Sequence, residues 1–441
     1  MIKRESLNCI LVLIISVYVN FTFVYKTYPL FQYICYYGIL GLYLLFHLKK
    51  VLHWVKLALK NVSISFFSLM FWIFILTNAI IFPIVHGTFD FSYINVVLSI
   101  ARQIVQHCFL LVLIDNWIKP QKLTIKYMQI NIGSGLCYVA VTVLMICFPH
   151  LKDFWRNTIY IPATDLAASY ETNYFTRFGL VGFSGFDQTI FFTILVSFSL
   201  LLFFKNISLK ENKNLYYFVS MIILLLGNTF YGRSGMMISL FCMGIGFSVF
   251  CFKYKQIRLI LKLNIIFILL FLFVLIGKNY NEQLYVYYNW SLKPITNFLE
   301  SGKIGTTSSD AMFHNMYFVP NLETILLGTG YYTDPETQRY FMATDIGYMR
   351  PLLFYGVINQ LFGYLICVFL IISMTIALKK EYHKIGILFG CISLLILFIF
   401  ELKGEVFYRI SGVYFALLLS AVNDNVKIFY KNNNRGRHIK L

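Results

Sequence analysis

The sequence predicts an all-α, polytopic membrane helix bundle of about twelve transmembrane helices. Three observations carry that expectation. Apolar runs long enough to cross a hydrocarbon core of about 30 Å recur along the whole chain. Hydrophobic residues make up 59% of the 441 positions and charged residues 13%, against roughly a quarter charged in soluble domains. The basic residues gather in alternate connections between the runs. In lipid every backbone polar group must be satisfied within its own segment, so the runs read as helices. They lack the period-2 alternation of a barrel strand.

Hydropathy places the spans at roughly 6–25, 28–48, 62–85, 93–114, 128–148, 186–204, 215–230, 236–252, 260–277, 350–378, 385–401 and 406–422. No soluble domain, linker or internal repeat interrupts them, so 1–441 reads as a single transmembrane domain. The first run has no small-residue cleavage site after it and is followed almost at once by a second, so it reads as a retained span. Lys3 and Arg4 precede it and put the N-terminus in the cytoplasm. Alternate connections then hold Lys49, Lys50, Lys56 and Lys60; Lys119, Lys122 and Lys126; Lys205, Lys210 and Lys213; Lys253, Lys255, Arg258 and Lys262; and Lys379, Lys380 and Lys384. The C-terminal tail adds Lys427, Lys431, Arg435, Arg437 and Lys440. With both ends inside, about 24 basic residues fall in cytoplasmic segments and about 12 outside. The formal charge of +18 is thus an orientation signal and a contact with anionic lipid, not a nucleic-acid footprint.

Two connections are long, 149–185 and 278–349, and both fall on the outer face. Loops of that length are functional or disordered, and their Tyr, Phe and Trp content argues against disorder. The stretch NEQLYVYYNWSLKPITNFLES reads as an interfacial amphipathic helix. The nine cysteines lie in apolar runs, which predicts neither a disulfide framework nor a metal site. No phosphate loop of the GxxxxGK[ST] kind is present, and no acidic pair for a metal-bound nucleotide sugar.

In FYGRSGMM, Arg233 stands between Gly232 and Gly235 where a span opens. Helix-start N–H groups, a positive dipole end and a bidentate guanidinium make an anion seat there; the glycines would permit a tight turn and close ligand approach. The plain alternative is an arginine snorkelling to headgroups beside a glycine hairpin. Arg177, in NYFTRFGLVGFSGFDQT, has the same two readings. The stretch LLGTGYYTDPETQRYFMATDIGYMRPLLFYGVINQLFGYL brings Arg339, Asp345 and Arg350 up to a helix that opens on Pro351. Asp345 beside Arg350 reads either as a functional carboxylate or as a loop-anchoring ion pair. His314, in DAMFHNMYF, is a candidate proton acceptor or an ordinary loop histidine. Within the fourth span Asn95, Ser99, Arg102, Gln103, Gln106 and His107 share one stripe by their 3–4 spacing. Arg102, Gln106 and His107 form either the wall of an active cavity or an interhelical hydrogen-bond network. Glu405 and Arg409, four apart in the hairpin at Glu401, Lys403, Glu405 and Arg409, read as a local ion pair.

In TRFGLVGFSGFDQ, GRSGMM and LLGTGYY…TDIGYMRPLLFYGVI the chain resembles the Wzy-type polysaccharide polymerases, the O-antigen and capsule polymerases related to O-antigen ligases. The resemblance implies a bacterial cytoplasmic-membrane glycosyltransferase of the GT-C type, with both termini cytoplasmic and no metal or cofactor. It would transfer a growing glycan from polyprenyl diphosphate to a lipid-linked oligosaccharide repeat on the outer face. A flippase and a chain-length regulator would be its partners, and nucleic acid would not. By position Arg177 and Arg233 would bind diphosphate, with Arg350 or Arg339 assisting. The ligase branch carries a His where this chain has Asp345, which leaves the general base open between Asp345 and His314. Rival readings are an O-antigen-ligase-like transferase and a flippase or transporter of the same lipid-linked sugars. The second predicts charges through several spans and short outer loops.

Overall fold

The computed structural model describes residues 4–60, 62–161, 177–183, 185–209, 214–254, 312–407 and 409–438, with a few isolated positions between 285 and 310. The described residues are mostly helical. Among the described residues eight helices are long and apolar enough to cross a membrane. The span expected at 260–277 and most of the NEQLYVYYNWSLKPITNFLES helix lie outside the described residues.

In chain order the helices are α1 (Arg4–Asn20), α2 (Pro29–Phe46), α3 (Leu48–Leu59), α4 (Val62–Leu76), α5 (Phe82–Val85), α6 (Ile94–Trp117), α7 (Leu123–Cys147) and α8 (Pro149–Thr158). A two-stranded hairpin, β1 (Phe178–Gly179) with β2 (Gly182–Phe183), follows. Then come α9 (Phe186–Leu209), α10 (Asn214–Tyr231), α11 (Arg233–Tyr254), α12 (Leu322–Leu327), α13 (Met349–Glu401) and α14 (Ser411–His438). One π-helical turn, Thr77–Ile81, joins α4 to α5 without a break.

Several helix ends differ from the hydropathy boundaries because long-range polar contacts decide them. The first run stops at Asn20 rather than at 25. There the Asn20 amide donates to Asn131 Oδ1 (2.9 Å) and Ser134 Oγ (2.8 Å). Helix α7 begins at Leu123 rather than 128 because Asp424 accepts from the Leu123 and Thr124 N–H groups (3.0 and 2.9 Å), meeting two donors that a helix start leaves unpaired. The run expected at 406–422 turns helical at Ser411 and continues to His438. The runs 350–378 and 385–401 form α13, which reverses at His383 (φ 50°, ψ −127°). Helix α3 occupies the basic connection between the second and third expected spans.

The chain divides into two compact units. Unit 1 comprises residues 1–22, 28–134 and 316–441. Its basic connections meet at one end, tied by Lys50–Asp115 (2.6 Å), Lys427–Asp115 (3.6 Å) and Lys122–Glu381 (2.6 Å). At the opposite end Asp90 accepts from the Tyr332 and Thr333 amides (2.6 and 2.7 Å). Beside it α13 breaks at Gly356 (φ 78°). The carbonyls of Leu353 and Phe354, freed by the break, accept from the Thr329 and Gly330 amides (2.7 and 2.9 Å). A Cβ at Gly328 or Gly356 would strike the facing backbone, so both glycines are required by this crossing.

Unit 2 comprises residues 23–27 and 135–315. Helices α9, α10 and α11 form its antiparallel centre. Tyr138, Phe192 and Tyr231 pack edge to face, and Tyr231 shares a 2.9 Å hydrogen bond with Thr142. The hairpin β1–β2 lies on a small apolar cluster of Met145, Ile159, Ile161 and Phe178, and Trp155 Nε1 donates to Leu180 O (2.9 Å).

Candidate functional site

In unit 2 the helical hairpin α10–α11 turns at Gly232. Its amide bonds Asn228 O (3.0 Å), and its carbonyl accepts from Gly235 N (3.1 Å). Arg233 is therefore the first residue of α11, half-buried at a helix mouth where the dipole is positive. The glycines act here through packing, not through ligand approach. A Cβ at Gly232 would lie 2.5 Å from Thr189 Oγ1, and one at Gly235 would meet the Thr189 methyl and the Asn228 amide (2.6 Å). Asn228 itself bonds Thr193 Oγ1 (3.1 Å), Thr189 O (3.3 Å) and Ser239 Oγ (3.4 Å). This buried polar knot fixes the helix mouth against α9.

The same turn captures Arg177. Its backbone is left-handed (φ 61°), uncommon for a bulky side chain. That conformation lets its amide donate to Phe230 O at the last turn of α10 (2.6 Å). The Arg177 side chain is exposed and reaches the Phe183 ring (5.9 Å to the centroid). Protein packed beneath it pulls its pKa below the ordinary arginine value, yet a guanidinium remains charged. Arg177 lies close enough to Arg233 for the two charges to repel. Two arginines that lie 56 positions apart in sequence are thus brought together.

Lys152 was not singled out by its sequence. It is buried, with its ammonium 5.1 Å above the Phe178 ring. Burial, aided by Arg156 and opposed by Asp153, brings it down to about 8. The signal was available: Lys152 and Trp155 are three apart on a short helix and so share a face.

Unit 1 holds the remaining candidates. Arg350 is buried, with its guanidinium 4.1 Å from the ring centroids of both Tyr332 and Tyr340. It pairs with Glu405 (3.4 Å), which also accepts from the Tyr332 hydroxyl (2.5 Å). Glu405 therefore reaches across the fold to Arg350, a pairing 55 positions apart in sequence. Burial, with Glu405 adding to it, holds the Tyr332 phenol well above its usual pKa. Glu401, fully buried, accepts from Val406 N (2.7 Å) and from the Tyr364 hydroxyl (3.3 Å), and so fastens the 402–407 turn.

Asp345 is exposed on the rim of this cluster. Desolvation raises its pKa, while its own amide, Lys403 and Arg350 lower it. Arg339 is exposed on the 334–340 turn, which Asp334 organises by accepting from Thr337 N (2.8 Å). His314 is exposed in the π-helical turn Met312–Met316 of unit 2.

The polar stripe of α6 forms an interhelical network. Gln106 Nε2 lies 3.2–3.4 Å from Val19 O, Thr22 Oγ1, Tyr36 OH and Tyr37 OH. Its two protons can serve two of these acceptors at a time. His107 is buried and bonds the Tyr127 hydroxyl (2.9 Å). Arg102 is exposed, and its Nε donates back to Leu98 O (3.3 Å). A cavity of about 110 Å³ between α4, α6, α13 and α14 is lined by Phe71, Trp72, Leu370 and Phe415 among others, and is almost wholly apolar. It holds none of these charged groups.

Among the described residues, then, Arg177 and Arg233 are held at one helix mouth, and Arg350 is paired with Glu405 in a buried cluster. The first can receive an anion; the second holds loops. No protein family, curated protein or solved structure matches the chain.

Proposed function

We propose that the chain is a membrane polysaccharide polymerase of the GT-C type, transferring a glycan from polyprenyl diphosphate to a lipid-linked oligosaccharide repeat. The observation that carries this reading is the pairing of Arg177 and Arg233 at the mouth of α11. A glycosyl diphosphate breaks at its C1–O bond, and the charge that develops on the departing oxygen must be stabilised. Positioned cations at a helix start do that without reorganising. The acceptor hydroxyl attacks C1 and gives its proton to a base. The identity of that base stays open between Asp345 and His314. The donor is already activated, so neither nucleotide nor metal enters the scheme. Basic connections on the cytoplasmic side would place the Arg177–Arg233 pair on the outer face.

The test is the polymer ladder on a gel in cells carrying Arg177→Ala or Arg233→Ala. Each variant is expected to leave single repeat units while the protein remains inserted in the membrane. Long chains of unchanged length in both variants overturn the reading.

A further inference from the structure

Helix α3 (Leu48–Leu59) lies between two spans at the basic end of unit 1, and its surface divides into three stripes. Advancing about 100° per residue, Lys50, Trp54 and Ala58 share one face. Trp54 and Ala58 are buried there, and the Lys50 ammonium bonds Asp115 (2.6 Å) and Asn116 (2.5 Å) at the end of α6. This face docks the helix. A second stripe, Leu48, Leu52 and Leu59, is 43%, 55% and 40% exposed. A third, Lys49, His53, Lys56 and Lys60, is exposed throughout. The uncovered surface of α3 is therefore apolar along one side and basic along the adjacent side.

A soluble protein would gain nothing from three bare leucines beside three bare lysines. At a bilayer boundary the arrangement has one natural environment: leucines toward acyl chains, lysines toward phosphates. The preceding helix supports this depth. The 18 residues of α2 rise about 27 Å, so the chain reaches α3 as it leaves the hydrocarbon. We infer that α3 is an interfacial helix whose Lys49–His53–Lys56–Lys60 stripe binds the phosphate headgroups of anionic phospholipid. The occupant is lipid because the basic stripe runs beside the apolar one along the whole helix. An acidic protein partner would match the lysines and leave the leucines bare. Lys50, on the docked face, ties the lipid-facing stripes to Asp115, so headgroup contact and helix docking share one short element.

The test uses the full-length protein in detergent, mixed with equal amounts of phosphatidylglycerol and phosphatidylcholine, with retained lipid counted by native mass spectrometry. The unaltered chain is expected to retain phosphatidylglycerol preferentially. The variant Lys49→Gln/Lys56→Gln/Lys60→Gln removes exposed groups only, so its melting temperature should stay the same. Its phosphatidylglycerol retention should fall by about tenfold or more, each lysine near an anionic surface contributing about a fivefold factor. Equal retention in variant and parent overturns the inference. A photo-crosslinking benzoylphenylalanine placed at Leu52 in native membranes gives a second measurement. A lipid adduct supports the inference, and a discrete protein adduct overturns it.

Discussion

Replacing Arg350 by methionine separates a structural arginine from a substrate-binding one. Arg350 is 7% exposed and Glu405 3%, so the substitution leaves a carboxylate with no cation in a nearly dry site. Losing one partner of a buried pair costs about 3–5 kcal/mol. The guanidinium also faces two tyrosine rings at 4.1 Å. Such contacts contribute about 1–2 kcal/mol each when desolvated, but methionine recovers much of the packing. A net loss of about 4 kcal/mol follows. Unfolding entropy of about 2.1 cal/mol/K per residue gives about 0.9 kcal/mol/K for a chain of this length. The midpoint should therefore drop by about 4–5 °C, followed by tryptophan fluorescence in detergent. Adding Glu405→Gln removes the orphaned charge and should restore much of the loss, because the neutral amide oxygen can still accept from the Tyr332 hydroxyl. If Arg350→Met melts with the parent protein yet abolishes polymer, the reasoning fails and Arg350 belongs among the ligand-binding groups.

Gly235→Ala drives a methyl into Thr189 and Asn228 and should cost about 1–3 kcal/mol by overpacking; Thr189→Ala in the same chain should recover part of it, and an unchanged melting midpoint for the single variant would refute the packing role. Lys152 has a folded pKa of about 8 against an unfolded value of 10.5. The folded state therefore binds fewer protons than the unfolded chain between those values, and stability rises with pH across that window. Melting Lys152→Met beside the parent from pH 7 to pH 10 should show the parent gaining relative to the variant above pH 8. A difference independent of pH would exclude a buried, depressed lysine.

The spans were legible because a run of about twenty apolar residues has few alternatives in a membrane chain. Helix α3 was not, because its lysines lower the hydropathy of every window that contains it, and its periodicity emerges only once the docked Lys50–Trp54–Ala58 face is known. The end of α1 at Asn20 depends on residues 111 and 114 positions away, which no local signal encodes. Arg350 and Glu405 lie 55 positions apart, so no local spacing signals their pairing. The glycines around Arg233 show a subtler limit. Sequence gives permission for close approach at such a position, but Thr189 and Asn228 decide that a helix, not a ligand, makes it.

The contrast between the two arginine environments bears on why Arg177 keeps a left-handed backbone. Such a conformation costs on the order of 1 kcal/mol or more for a bulky residue, and here it aims the amide at Phe230 O. The end of the first long loop is thereby pinned to the turn that carries Arg233. Arg350 shows how the fold treats a cation it merely wants stable: it supplies Glu405 and two aromatic faces. At Arg177 it accepts a strained backbone that holds the loop to the turn carrying Arg233. A diphosphate at this helix start would meet both guanidiniums and the first N–H groups of α11. Pyrophosphate should accordingly raise the melting midpoint of the parent protein, by mass action on the folded state, and should leave Arg177→Ala unmoved.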